Sequence, residues 1–122
     1  MLFLDHCTSS DLIRHHGQTY TDESDKYKYI LVLGKSLTQK ELSGSGSWLL
    51  GNYASGTKGT EIYDNGSGCG GDIKRQATII FVQGEKTKLL DDKEPTTCNY
   101  EFVFQINCQQ GNVLVLILQS TV

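Results

Sequence analysis

Two short stretches of this chain carry side chains that could do chemistry together. The first reads Cys69-Gly70-Gly71-Asp72-Ile73-Lys74-Arg75 and the second Glu94-Pro95-Thr96-Thr97-Cys98-Asn99-Tyr100. A disulfide between their cysteines would clamp a guanidinium, a carboxylate and a phenol near one another on a β scaffold. The guanidinium offers a fork of donors, the carboxylate a pair of acceptors, and the phenol can both donate and accept. That combination suits a site that reads sugar hydroxyls, and it points to binding rather than bond cleavage.

Catalytic and metal-binding readings find less support. A hydrolase would need Cys7 or a serine activated by His6, His15 or His16, but neighbouring histidines in a polar stretch have no triad spacing, and no G-x-S-x-G elbow is present. The set His6, Cys7, His15 and His16 matches no zinc pattern, and the segment reads as an exposed loop. Asp91-Asp92 beside Lys93 reads as a turn with solvated charges. No metal or cofactor is expected.

The bulk numbers bound the partners. At 122 residues the chain is read as one domain, 1–122, burying roughly two-thirds of its unfolded surface. Eleven basic and fourteen acidic side chains give a formal charge of -3 without a long run of either sign. Neither a nucleic-acid groove nor a polybasic membrane patch is indicated. The longest apolar run, Val113 to Leu118, is far short of the ~20 residues that span a bilayer and reads as a buried strand. Met1-Leu2-Phe3-Leu4 has no basic n-region or cleavage site, so the domain is expected to be excised from a longer precursor. The four cysteines, Cys7, Cys69, Cys98 and Cys108, lack paired C-x-x-C spacing, which favours structural disulfides and the secretory pathway. Asn65-Gly66-Ser67 has the form of a glycosylation sequon, but Asn-Gly is equally a turn signal, and the turn reading is preferred.

Strands must position these groups. β-branched and aromatic residues cluster in short runs between glycine, serine and aspartate, and no window of about twelve residues holds a helical period. Lys26 to Leu33 begins with polar/apolar alternation and turns wholly apolar, like a strand entering the core. Ser47 to Leu50 and Thr60 to Tyr63 are shorter candidates. Arg75 to Val82 reads as a strand, which Gly84-Glu85 would turn into Thr87 to Leu90 as a hairpin. Tyr100 to Ile106 alternates, placing Tyr100, Phe102, Phe104 and Ile106 on one face. Seven or eight short strands imply an all-β fold, a flattened β-barrel or sandwich of two antiparallel sheets.

These residues resemble the mannose 6-phosphate receptor homology (MRH) domain, a P-type lectin fold, over nearly the whole chain. The form most similar is that of the glucosidase II beta subunit. Members of the family bind mannose through a glutamine, an arginine, a glutamate and a tyrosine. Their counterparts here, in order, are Gln39 in Gly34-Lys35-Ser36-Leu37-Thr38-Gln39-Lys40, Arg75, Glu94 and Tyr100. Gly46-Ser47-Trp48 is similar to a Gly-Ser-Trp segment of the glucosidase II beta subunit, rather than to the double tryptophan of members that serve glycoprotein degradation.

The resemblance implies a Cys69–Cys98 disulfide. Two further family cysteines are replaced by Val32 and Gln83, which leaves the pairing of Cys7 and Cys108 open. Gly70 stands where the glucosidase II beta subunit often has tryptophan, an aromatic that would pack against the sugar. The resemblance further implies a non-catalytic lectin domain in the endoplasmic reticulum lumen. It would hold mannose-rich N-glycans of glycoproteins while the glucosidase II alpha catalytic subunit trims glucose. Two other readings stay open: a mannose 6-phosphate receptor domain for lysosomal enzyme trafficking, which would call for further donors or a metal near the pocket, and a lectin-like module kept for protein contacts.

Overall fold

The computed structural model describes residues 9–57 and 59–108. His6, Cys7 and the apolar run Val113 to Leu118 lie outside the described residues. A six-residue helix, α1 (Ser9–Arg14), precedes eight strands: β1 (Thr19–Glu23), β2 (Tyr27–Val32), β3 (Ser36–Glu41), β4 (Ser47–Gly56), β5 (Thr60–Asn65), β6 (Gln76–Gln83), β7 (Lys88–Thr96) and β8 (Asn99–Ile106). Alternation decides which side chains face inward. On β8, Tyr100, Phe102, Phe104 and Ile106 are all buried while the residues between them are half-exposed, as the sequence pattern requires.

The strands form one hydrogen-bonded sheet in the order β1-β2-β3-β4-β5-β6-β8-β7. The sheet curls until its two edge strands, β1 and β7, lie against each other, which gives the all-β flattened barrel. One continuous sheet therefore does the work assigned to two, and it is mixed rather than antiparallel throughout, because β6 and β8 pair in parallel. The curl encloses a single core of Tyr29, Leu31, Leu33, Leu37, Leu50, Tyr63, Phe81, Phe102 and Phe104, among others. Rings of distant strands meet across it: Tyr29 on Phe102 at 5.2 Å and Tyr20 on Phe104 at 4.8 Å, both edge to face.

Three local expectations need correction. The hairpin from Arg75–Val82 into Thr87–Leu90 does not form, because β8 lies between β6 and β7 and pairs with both. Its inward residues are all large and apolar, and a central position buries them more completely than an edge would. The edge goes instead to β7, which contains Pro95 and can spare a backbone donor there. Asp91-Asp92 is not a turn but part of β7, continued across a bulge after Leu89. Nor is the described end of the histidine segment, His15-His16, an exposed loop. Leu12 and His15, three residues apart at the end of α1, are both buried, and His16 Nε2 pairs with the buried Glu61 carboxylate at 2.8 Å. Glu61 is further satisfied by the Tyr63 hydroxyl, which donates to it at 2.7 Å and accepts the Gly34 N–H.

Candidate functional site

Gln39, Arg75, Glu94 and Tyr100 line one cavity of about 230 Å³, together with Tyr27, Trp48 and Cys69. They come from separate parts of the chain: Gln39 from β3, Glu94 from β7, Tyr100 from β8, and Arg75 from the residue just before β6. The curl brings β3 opposite β7 and β8. On the near wall, Tyr29, Gln39 and Trp48 are cross-strand neighbours on β2, β3 and β4. Gln39 is buried, and its Nε2 donates to the Tyr29 hydroxyl at 3.2 Å.

On the far wall the Cys69–Cys98 disulfide, with Cα atoms 6.4 Å apart, ties the loop that presents Arg75 to the turn that presents Glu94 and Tyr100. That loop is closed by its own backbone: Cys69 N–H donates to Ile73, Arg75 N–H to Ser67, and Gly66 N–H to Arg75. Asn65, the last residue of β5, begins it in the left-handed region at φ 56°. The β7–β8 turn is equally constrained. Cys98 sits at φ 69°, its N–H donates to Glu94 Oε2 at 2.6 Å, and its carbonyl accepts the Gln76 N–H. Between the pairs Lys93/Glu101 and Thr96/Asn99 the register shifts, so Glu94 and Pro95 together face Tyr100. Such a bulge re-aims side chains beside binding sites.

Arg75 is half-buried. Its Nη1 donates to the Gly68 carbonyl at 2.6 Å, and its guanidinium lies over the Trp48 ring, 5.7 Å from the centroid. Its Nε is buried and has no hydrogen-bond partner among the described residues. A buried, unanswered donor is costly unless something else answers it. One oxygen of Glu94 holds the turn, and the second is available to accept. The cavity thus presents donors and acceptors with one cation, one carboxylate and three aromatic side chains around a space for a single ring-sized ligand, smaller than the roughly 300–1,000 Å³ of sites for larger ligands.

Sequence reasoning missed Tyr27 and Trp48 as lining residues. Tyr27 shares the period-2 face of Tyr29, and Trp48 is the cross-strand partner of Gln39. Both signals exist only once β2, β3 and β4 are known to be adjacent. Gly70, where the related subunit often carries tryptophan, adopts φ 113°, and a Cβ there would meet nothing within 4 Å. Among the described residues no cluster of histidine, cysteine, aspartate and glutamate could hold a metal ion. Cys108 is buried and disulfide-bonded.

Known proteins share this fold. A family model described as "Glucosidase II beta subunit-like protein" matches residues 5–119. No curated protein matches the chain significantly. Among solved structures, the MRH domain of glucosidase II beta bound to mannose superposes with a TM-score of 0.65 at 23% identity, covering 77% of this chain and 94% of that one. The solution structure of a tryptophan-to-alanine point mutant of the GBII-beta MRH domain gives a TM-score of 0.62 at 24% identity, covering 75% and 90%. With the family model spanning nearly all of its length and the overall fold shared with a solved MRH domain, this chain belongs to the glucosidase II beta subunit-like family.

Proposed function

We propose that this domain is a non-catalytic lectin module that binds terminal mannose through Gln39, Arg75, Glu94 and Tyr100. The observation that carries the reading is the convergence of these four residues on one cavity, with the Arg75 Nε donor buried and unanswered. A pyranose hydroxyl is the kind of group that answers it. Gln39, with Nε2 committed to Tyr29, offers Oε1 as an acceptor, and next to Arg75 it forms the donor/acceptor pair suited to an axial 2-hydroxyl. Glu94 and Tyr100, side by side across the bulge, suit the 3- and 4-hydroxyls. Discrimination between mannose and glucose would then rest on Gln39 and Arg75.

The magnitudes fit a weak, specific site. Charge-assisted hydrogen bonds contribute about 1.5–3 kcal/mol each, and a millimolar constant for one monosaccharide corresponds to about 4 kcal/mol. Two such bonds, less the cost of ordering, account for it. The lining disfavours phosphate, since a phosphoryl group would meet Arg75 as the single cation and Glu94 as a carboxylate.

In the glycoprotein setting the domain would hold mannose-rich arms of N-glycans in the endoplasmic reticulum lumen and so present the glucosylated arm to a separate glucosidase II alpha subunit. The chemistry of glucose removal belongs to that subunit. Binding of mannose, glucose and mannose 6-phosphate by the isolated domain tests the reading. Mannose alone is expected to bind; a preference for mannose 6-phosphate, or no binding of any of the three, would overturn it.

A further inference from the structure

Arg75 is held by less than its role demands. One hydrogen bond, Nη1 to the Gly68 carbonyl at 2.6 Å, is firm; a second, to the Ser67 carbonyl, is 3.5 Å long. A planar guanidinium pinned at one nitrogen can still swing its plane about that point, and Nε would then leave the direction of the ligand. A second restraint is needed. Trp48, the chain's single tryptophan, lies beneath the guanidinium at 5.7 Å, inside the ~6 Å over which a cation is attracted to an aromatic face.

The ring is itself fixed. Tyr27 meets it edge-on at 6.3 Å with an interplanar angle of 79°. On another side, the ring folds back over Gly46: a Cβ at that position would meet the Glu41 carboxylate first and would fall 2.6 Å from Trp48 Cη2, so with any other residue there both the carboxylate and the ring must shift. The β3–β4 turn is closed around this arrangement, with Glu41 N–H donating to the Gly46 carbonyl and Gly46 N–H donating to Glu41 Oε1, both at 2.9 Å. The Gly46-Ser47-Trp48 segment therefore has a physical purpose: glycine makes room and tryptophan fills it. The loop from Gly66 to Arg75 contains no aromatic residue, so no ring from it shares the task.

We infer that Trp48 is a positioning residue for Arg75, setting the guanidinium plane before ligand arrives, with Gly46 as the space that lets it do so. The inference rests on Arg75 being a mannose-binding residue, and it is tested in two steps that fail separately. In the ligand-free domain, the Arg75 Nε–H resonance of the ¹⁵N-labelled protein reports the ring beneath it. Trp48→Leu is expected to move that resonance and to weaken mannose binding about three- to thirtyfold. Trp48→Phe, which keeps an aromatic face, is expected to recover most of the affinity, although its packing volume differs from tryptophan more than its chemistry does.

Gly46→Ala, which leaves the indole intact but crowds both it and the Glu41 carboxylate, is expected to move the same resonance and to weaken mannose binding in the same direction, whereas Glu41→Ala, which frees the carboxylate's place without touching the ring, is expected to leave the resonance where it is. The idea is overturned if Trp48→Leu leaves the Arg75 Nε–H resonance in place. It is equally overturned if leucine and phenylalanine serve alike. Lost affinity with an unmoved resonance would make Trp48 a direct sugar contact instead. Should the native domain bind no mannose, the ligand-free resonance still decides the positioning role.

Discussion

Replacing Arg75 by lysine keeps the positive charge and removes the fork. One arm of the guanidinium is spent on Gly68 O at 2.6 Å, and the buried Nε has no partner among the described residues, which leaves it for the proposed ligand. A lysine ammonium can reach either Gly68 or the ligand, but it cannot reproduce both at the angles of a planar group, and it has no face to lay on Trp48. The loss at the ligand is then one charge-assisted hydrogen bond, about 1.5–3 kcal/mol, or roughly ten- to 150-fold in affinity. From a millimolar starting point, that places binding beyond measurement by column retention. The fold should change little, because Arg75 is at the cavity wall and its removal also removes an unsatisfied donor; a shift under about 1 kcal/mol in unfolding free energy is expected. Retention of Arg75→Lys on a mannose column, paired with thermal melts of both proteins, supplies the assay. Native retention by a natively folded lysine variant would refute the claim that the fork, rather than the charge, reads the sugar.

Three further outcomes follow from the same contacts. Glu94→Gln keeps an oxygen for the Cys98 N–H and should melt within a few degrees of the native domain, yet lose mannose retention. Replacing Cys69 and Cys98 by alanine opens a loop of 29 residues; denaturant titration should show a loss of about 3–4 kcal/mol, together with loss of mannose binding, since the bond joins the two loops that carry Arg75 and Glu94. Stability should fall as pH rises above the ordinary tyrosine value of 10.0, because burial and the Glu61 carboxylate raise the Tyr63 pKa. The unfolded chain ionises there while the folded one must stay protonated, so the contribution is complete below that pH and lost above it. Urea midpoints between pH 8 and 11 should show the decline, less steep in Tyr63→Phe.

Much of the candidate site was legible in the sequence because cysteines and the chain's single proline punctuate it. Glu94-Pro95-x-x-Cys98-x-Tyr100 encodes a bulge, a turn and the first inward residue of β8 in seven positions, and alternation assigned the faces of β8 correctly. The neighbours of β8 were not legible. Short connections favour a hairpin between β6 and β7, and only the burial demand of Phe102, Phe104 and Ile106 sends β8 between them. The helix α1 is too brief for a period to register, and its docking through Leu12, His15 and His16 depends on Glu61, 45 residues from His16. Tyr27 and Trp48 were visible as aromatics but not as cavity walls, since their placement depends on three-strand adjacency and on the space at Gly46.

Nuclear magnetic resonance titration of the labelled domain with mannose and, separately, with glucose bears most directly on the convergence of these four residues upon one sugar. Saturable shifts are expected with mannose at the Arg75 Nε–H, the Gln39 side-chain amide, the Tyr100 ring and the Cys98 amide that Glu94 holds, and much weaker ones with glucose. Shifts confined to the separate pocket lined by Ile13, His16, Tyr53 and Glu61, or none at saturating mannose, would contradict the account.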